Sequence, residues 1–175
     1  MILDAFLAFD TSTLITANGT TQNSANVIDL GGPGLPVLAN LQGARDIGIG
    51  DDPALKLLVE VITAASTGTS MTVTLEGAPD NGSGAAGSYV AWYVTPVYTT
   101  AQLVVGARLF DADMPRPPQG VAIPRFLRLS YAVASATMTA GNVSAFLVLD
   151  RMDLAYQSTN NAVLGGYPAG ITVAN

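Results

Sequence analysis

The sequence contains no histidine, no cysteine and one lysine, Lys56. Histidine is the side chain whose ordinary pKa lies nearest neutrality, cysteine is an effective nucleophile, and both are common ligands of transition metals. Because these residue types are missing, we expect a protein without enzymatic activity and without a cofactor. The lack of cysteine also excludes disulfides, so the chain would fold equally well in a reducing cytoplasm.

Charged residues are scarce, at 11% of the 175 residues, while apolar residues make up 49%. This composition indicates either that a partner covers part of the surface or that Ser, Thr, Asn and Gly supply the polar surface. The net charge of -6 argues against direct DNA or RNA binding, which depends on Lys and Arg that neutralise phosphates. Six of the seven cations are arginines, which suit subunit contacts or internal ion pairs.

Long apolar runs are also missing, because no run approaches the roughly 20 residues of a membrane-spanning helix. Residues 1–10 are apolar but carry an acid at the fourth position and no basic region, which is not typical of a signal peptide. The length suits a single domain. We therefore expect one compact body that makes no membrane contact.

Short segments with the apolar pattern of β-strands recur along the chain, and none has helical spacing over 11 or more residues. The two most regular segments, 126–133 and 143–149, are predicted to be adjacent antiparallel strands. This spacing predicts an all-β fold, most simply a jelly-roll β-sandwich. The predicted strands are 27–30, 55–62, 71–76, 89–94, 103–110, 126–133 and 143–149.

The N-terminal 26 residues differ from the remainder, since residues 11–26 are mostly Thr, Ser, Asn and Ala. Such a segment buries little apolar surface, so we predict an arm and loop over 1–26 and a single sandwich domain over 27–175. The apolar residues that begin this arm would suit a segment that orders on a neighbouring subunit. The alternative is that the arm completes the sheet of its own domain.

Asp10-Thr11-Ser12 is the one motif with a catalytic pattern, because aspartic proteases hold their paired carboxylates in similar tripeptides. That chemistry needs two aspartates that share a proton, and this chain has a single copy of the motif. A dimer would be required to build the pair. We favour a capping or arm role for Asp10.

Two acidic loops could in principle collect the oxygen ligands that calcium prefers: the first holds Asp46, Asp51 and Asp52, and the second spans 80–84. Neither matches an EF-hand loop. We expect these side chains to cap turns instead.

Trp92, with Tyr89 and Tyr93, could form a platform on which sugars stack. This possibility supports an alternative function, a carbohydrate-binding or tail-fibre-like β-sandwich module. Aromatic residues in a β-segment are more often core or interface anchors, so we expect the core position.

The order of several short motifs resembles that of the jelly-roll cement proteins of tailed-bacteriophage capsids, the group described from a Bordetella phage. Each motif alone is a common β or turn signal, and the resemblance rests on their order over most of residues 4–150. The motifs are SANVIDLG at 24–31, DIGIG at 46–50, GARLF at 106–110, PRFLRLSY at 124–131, and TAG at 139–141 leading into 143–149.

The resemblance implies a decoration protein, usually a homotrimer, that binds the outer capsid surface and ties neighbouring major capsid proteins together. Such a protein is made in the cytoplasm of the host bacterium, and its role contains no reaction step. The residues that we predict to contact the capsid or a sister subunit are Ile2, Leu3, Phe6, Phe9 and Arg116.

Overall fold

A computed structural model gives the fold of the chain and describes residues 7–31, 55–122, 124–134 and 137–148. Within these ranges the regular secondary structure consists of β-strands and short 3-10 segments, among them a 3-10 helix at Thr100–Gln102, and the remaining residues form turns and loops. The strands are β1 Ala8–Leu14, β2 Thr21–Asn23, β3 Ile28–Asp29, β4 Lys56–Ser66, β5 Ser70–Ala78, β6 Val90–Val94, β7 Tyr98–Thr99, β8 Arg108–Asp113, β9 Phe126–Ala134 and β10 Ala140–Val148.

The strands form two antiparallel sheets. Sheet 1 has the order β1-β10-β4-β8, and sheet 2 has the order β2-β9-β5-β6. Strands β2 and β3 pair with successive parts of β9, and β6 and β7 pair with successive parts of β5, so each sheet has four strand positions. The nearest-neighbour pairs β1–β10, β3–β9, β4–β8 and β5–β6 are those of a jelly roll. The predicted all-β sandwich is confirmed.

The core lies between the sheets and is built by alternate residues of the central strands. Because successive side chains of a strand point to opposite faces, every second residue of β4, β5 and β9 enters this layer. The alternation predicted for 55–62 and 71–76 is confirmed. The inward residues that are at most 3% exposed include Leu57, Val59, Val61, Met71, Val73, Leu75, Leu127, Leu129, Tyr131 and Val133.

The predicted pairing of the last two strands is wrong. β9 lies in sheet 2 between β2 and β5, whereas β10 lies in sheet 1 between β1 and β4. The connection between them therefore passes from one sheet to the other. An alternating pattern specifies which face of a strand is buried, but it does not specify which strand is the neighbour.

The N-terminal segment belongs to the sandwich as far as the structure describes it. β1 pairs with β10 at the edge of sheet 1, and a register shift between Ala8 and Asp10 leaves both Phe9 and Asp10 fully buried. β2 pairs with β9 at the edge of sheet 2, and the Asn26 N–H just after β2 donates to the Phe9 carbonyl of β1 at 2.9 Å. Residues 8–14 therefore complete a sheet of their own domain, which is the alternative to an arm that orders on a neighbouring subunit. The segment has few apolar residues, but its hydrogen bonds to β10 and the buried side chain of Phe9 hold it in the sandwich.

The strand predicted over 103–110 begins later in the structure. The strand begins at Arg108 and not at residue 103, because the 3-10 helix is followed by a turn closed by a hydrogen bond from the Ala107 N–H to the Val104 carbonyl at 3.0 Å. Gly106 in this turn has a φ of 82°, a conformation that favours glycine. Residues 114–122 after β8 form no strand, as the prolines predict.

Candidate interaction surface

The two ends of the sandwich differ in charge. At one end lie residues 79–89 and 114–125, which we call the charged end; at the other lie residues 15–20, 67–69, 100–107 and 137–139, which we call the uncharged end. In sheet 1 the boundary is the pair Glu60–Arg108, and in sheet 2 it is the pair Glu76–Arg128. Beyond these two pairs, toward the uncharged end, the described residues include no Asp, Glu, Lys or Arg.

The charged end is cross-linked by ion pairs between elements that are distant in sequence. Arg125 of the segment before β9 pairs with Asp29 of β3 at 2.9 Å and also with Asp80 of the 79–89 loop. These two carboxylates raise the pKa of the Arg125 guanidinium above its ordinary value. These ion pairs connect the 79–89 loop to β3 and to the start of β9. The Arg125 guanidinium also lies 4.9 Å from the ring centre of Phe126.

Further pairs on the outer faces use most of the other described cations. Arg128 pairs with Glu76 at 2.7 Å and lies 3.7 Å from the ring centre of Tyr89. On sheet 1, Lys56 pairs with Asp113 at 2.8 Å. A bulge in β8 brings Arg108 to the same face as Asp111, where the two side chains pair at 3.3 Å. Arg108, Arg125 and Arg128 thus form internal ion pairs, one of the two roles that arginine chemistry suits.

Arg116, one of the predicted contact residues, is exposed in the irregular segment after β8. In the described part of the chain it takes part in no ion pair, so its guanidinium is available to a partner. Phe9 is fully buried in the core, so its side chain does not lie on the surface of the chain as Arg116 does. Ile2, Leu3 and Phe6 lie outside the described residues.

The uncharged end exposes valines among small polar side chains. Val97 is 62% exposed, and Val104 and Val105 are 53% and 66% exposed. Val97 also borders a shallow depression of about 290 Å³ on the outer face of sheet 2, whose other walls include Thr20, Ser70 and alanines of β9. Leu14, Ile62 and Val94 are further exposed apolar side chains in this half of the sandwich.

Hydroxyl groups at the uncharged end are already hydrogen-bonded within the chain. The Thr67 hydroxyl donates to the Thr137 carbonyl at 2.7 Å, and the Thr69 hydroxyl donates to the Ala134 carbonyl at 2.6 Å. The Thr100 hydroxyl donates to the Gly68 carbonyl at 2.8 Å. These bonds connect the loops of the uncharged end to one another and to β9.

Sequence reasoning did not find the uncharged end. Its signal is visible in the sequence as four runs without Asp, Glu, Lys or Arg, at 11–28, 61–75, 81–107 and 129–149. Only the strand order shows that parts of all four runs meet at the same end of the sandwich.

Asp10 is fully buried, and its carboxylate accepts hydrogen bonds from the Ala25 N–H at 2.8 Å and from the Tyr131 hydroxyl at 2.5 Å. A carboxylate enclosed between two sheets cannot approach the same residue of a second chain. The geometry does not fit a shared-proton pair of aspartates.

Trp92 is only 9% exposed and packs in the core, as the core interpretation predicts. Its indole face is therefore not available for sugar stacking. Tyr93 is more exposed, and its ring packs edge-on against Phe110 with ring centres 4.7 Å apart. The three aromatic residues do not form a shared flat platform.

Asp80 caps a turn, as expected. One carboxylate oxygen accepts the N–H groups of Gly82 at 2.7 Å and Gly84 at 3.0 Å, and the other pairs with Arg125. The described residues contain no cluster of three or more acidic side chains able to hold a metal ion. Asp46, Asp51 and Asp52 lie outside the described residues.

The comparisons with known proteins identify a family. A search of the curated proteins finds no match. The family model Bbp16 matches residues 9–147, which is most of the chain and spans the sandwich from β1 to β10. The family takes its name from a protein of a Bordetella phage. Within the described ranges no helix is long and apolar enough to cross a membrane. The chain belongs to the Bbp16 family of phage proteins.

Proposed function

We propose that this chain is a structural virion protein that binds the outer surface of a bacteriophage capsid and cements neighbouring major capsid proteins. The observation that carries this proposal is the family match over residues 9–147, which includes both sheets. The motif order that resembles phage cement proteins supports the same role. The role contains no reaction step, and the protein would contact capsid protein and not the genome.

A cement protein stabilises a shell because it binds the assembled lattice and not the separated subunits, so binding shifts the equilibrium toward the assembled state. The contacts of each copy need not be strong. A homotrimer could engage several capsid subunits at once, and the linked contacts would reinforce one another through avidity. The protein would be made in the host cytoplasm and then added to the outer face of the shell.

Arg116 is the described residue that we assign to the capsid contact. It is exposed at the charged end, and its guanidinium is not engaged in an ion pair with another described residue. A guanidinium can bind a carboxylate of the capsid protein with two parallel hydrogen bonds. Ile2, Leu3 and Phe6 remain predicted contact residues of the N-terminal segment.

The direct test is to mix the purified full chain with parent capsids that lack it, pellet the capsids and measure the bound chain. We expect saturable binding, extra density on the outer shell by electron microscopy, and a higher temperature of capsid disruption. Capsids that neither retain the chain nor gain thermal stability would exclude the cement role.

A pair of variants tests the assignment of Arg116. Arg116→Gln should weaken capsid binding, whereas Lys56→Gln, which removes one positive charge from an existing ion pair with Asp113, should bind as the wild type does. Equal binding by both variants and the wild type would show that Arg116 lies outside the contact. Circular dichroism checks that both variants fold.

A further inference from the structure

We propose that copies of this chain associate with one another through the uncharged end of the sandwich, with Val97, Val104 and Val105 in the contact. The expected number of copies, three, rests on the proposed function, and the inference adds the surface through which the copies associate. The net negative charge of the chain is the reason that a second copy fits this end.

Each copy carries a net charge of -6, so two copies repel one another over most approaches. Contact through the charged end would also remove water from ion-paired carboxylates and guanidiniums, which is costly unless each charge finds a new partner. At the uncharged end the described residues bring no charge into the contact. Self-association is thus least opposed there.

The exposed side chains at this end suit a protein contact. Val97, Val104 and Val105 are each more than half exposed. Burying such apolar surface is the main favourable contribution to protein association, so these side chains favour a contact. The centres of protein interfaces are depleted in charged residues, and this end has that composition. A second acidic copy gains specifically from a surface without charged residues, because nothing there repels it.

The polar groups of the uncharged end can enter a contact at low cost. A hydroxyl buried without a partner destabilises a complex, but the hydroxyls of Thr67, Thr69 and Thr100 already donate to backbone carbonyls of the same chain. These bonds also connect the loops before association. Less conformational freedom is then lost when copies meet.

The test measures the mass of the full chain in solution by light scattering after size exclusion, and the association constant by sedimentation equilibrium. Val97→Glu and Val105→Glu place a charge at the uncharged end, and Val105→Lys places the opposite charge there. Val27→Glu is the matched control, because Val27 is 48% exposed and lies beside β3, near the charged end. The three positions changed are all on the surface, and circular dichroism checks that the four variants fold.

We expect the wild type to form trimers and each variant at the uncharged end to weaken association by on the order of tenfold or more, because an unpaired charge would be buried. The Val27→Glu chain should associate as the wild type does. The lysine variant is decisive: weaker association despite a lower net negative charge shows a buried contact and not general repulsion. Raising the salt concentration should not weaken wild-type association, since the contact contains no ion pairs to screen and the repulsion between acidic copies becomes smaller.

A wild type that is monomeric at high concentration would overturn the inference. So would variants at Val97 and Val105 that associate as the wild type does, or a Val27→Glu chain that dissociates equally. These measurements contain no capsids, so their failure differs from failure of the cement role. A trimer joined at the uncharged end that ignores capsids would leave this inference standing and remove the proposed function.

Discussion

Asp10 and Tyr131 join the two sheets inside the core. The Tyr131 hydroxyl donates a hydrogen bond of 2.5 Å to one carboxylate oxygen of Asp10, and both residues are fully buried. The other oxygen accepts the N–H of Ala25, which follows β2. One carboxylate therefore ties β1 of sheet 1 to β9 of sheet 2 and to the loop between β2 and β3, so Asp10 has a structural role at the position where the sequence resembled a protease motif.

We expect Tyr131→Phe to lower the free energy of unfolding by about 1–3 kcal/mol, because it leaves a buried carboxylate oxygen without its donor. The measurement is urea unfolding followed by circular dichroism. Tyr93→Phe is the matched control, since the Tyr93 ring is 42% exposed and should lose less than about 0.5 kcal/mol. An equal loss in the two variants would show that the bond to Asp10 contributes nothing net.

The same tyrosine should make stability fall at alkaline pH. Burial, with the charge of Asp10 and the hydrogen bond to it, raises the pKa of Tyr131 well above its ordinary value of about 10. Above about pH 10 the unfolded chain loses this proton while the folded chain keeps it, so the free energy of unfolding decreases as pH rises. The loss from this one group is at most about 1.4 kcal/mol in the free energy of unfolding per pH unit, and Tyr131→Phe should abolish it.

The test compares urea unfolding of the wild type and Tyr131→Phe at a series of pH values. From about pH 6 to about pH 9 the difference in stability should be constant, because Tyr131 is neutral in both states. Above about pH 10 the two curves should converge. Curves that stay parallel to higher pH would mean that the phenol ionises equally in the folded and unfolded chains.

The central strands could be predicted from the sequence because their pattern is set by burial. In β4 and β5 alternate residues face the core, and their apolar identities alternate with the same period of two. β1 could not be predicted in this way. Its last residues are polar, and its strand conformation depends on pairing with β10 and on the buried carboxylate of Asp10, which no local pattern reveals.

The candidate interaction surface depends on topology for a similar reason. The connection from β4 to β5 lies within the uncharged run 61–75, and the connection from β9 to β10 lies within the uncharged run 129–149. Both connections are at the same end of the sandwich. A sequence shows the runs but not that they meet. Arg116 could be predicted, since prolines on both sides place it in an irregular surface segment.

Asp80 should contribute to stability in a pH-dependent way. The N–H groups of Gly84 and Gly82, with Arg125, lower the pKa of Asp80 below its ordinary value. A lowered pKa in the folded state means that this contribution is present above the ordinary pKa and is lost as pH falls through the folded value. Asp80→Asn keeps the oxygen that accepts both N–H groups but removes the charge.

We therefore expect the melting temperature of Asp80→Asn to be lower than that of the wild type near neutral pH. The difference should shrink as pH falls from about 5 toward about 2. Asp80→Ala, which also removes the acceptor, should melt lower still at every pH. A difference between wild type and Asp80→Asn that does not change with pH would show that the charge of Asp80 is without effect.

Gly77 and Trp92 are in close contact within sheet 2. A Cβ atom added at Gly77 would lie 2.5 Å from Cε2 and 2.6 Å from Cζ2 of the buried indole. Because the ring is enclosed by the core, it has little room to move, and Gly77→Ala should lower the free energy of unfolding by about 1–3 kcal/mol. Urea unfolding measures the loss, and the fluorescence of Trp92, the single tryptophan, reports displacement of the ring.

A smaller ring should relieve the clash, which separates a steric effect from a loss of backbone freedom at Gly77. Trp92→Phe alone should be destabilising, because it leaves a cavity, but Nε1 of Trp92 has no hydrogen-bond partner among the described residues, so no such bond is lost. Adding Gly77→Ala to Trp92→Phe should then cost less than adding it to the wild type. If the two losses simply add to within about 0.5 kcal/mol in urea unfolding, the residues are not coupled and the steric explanation fails.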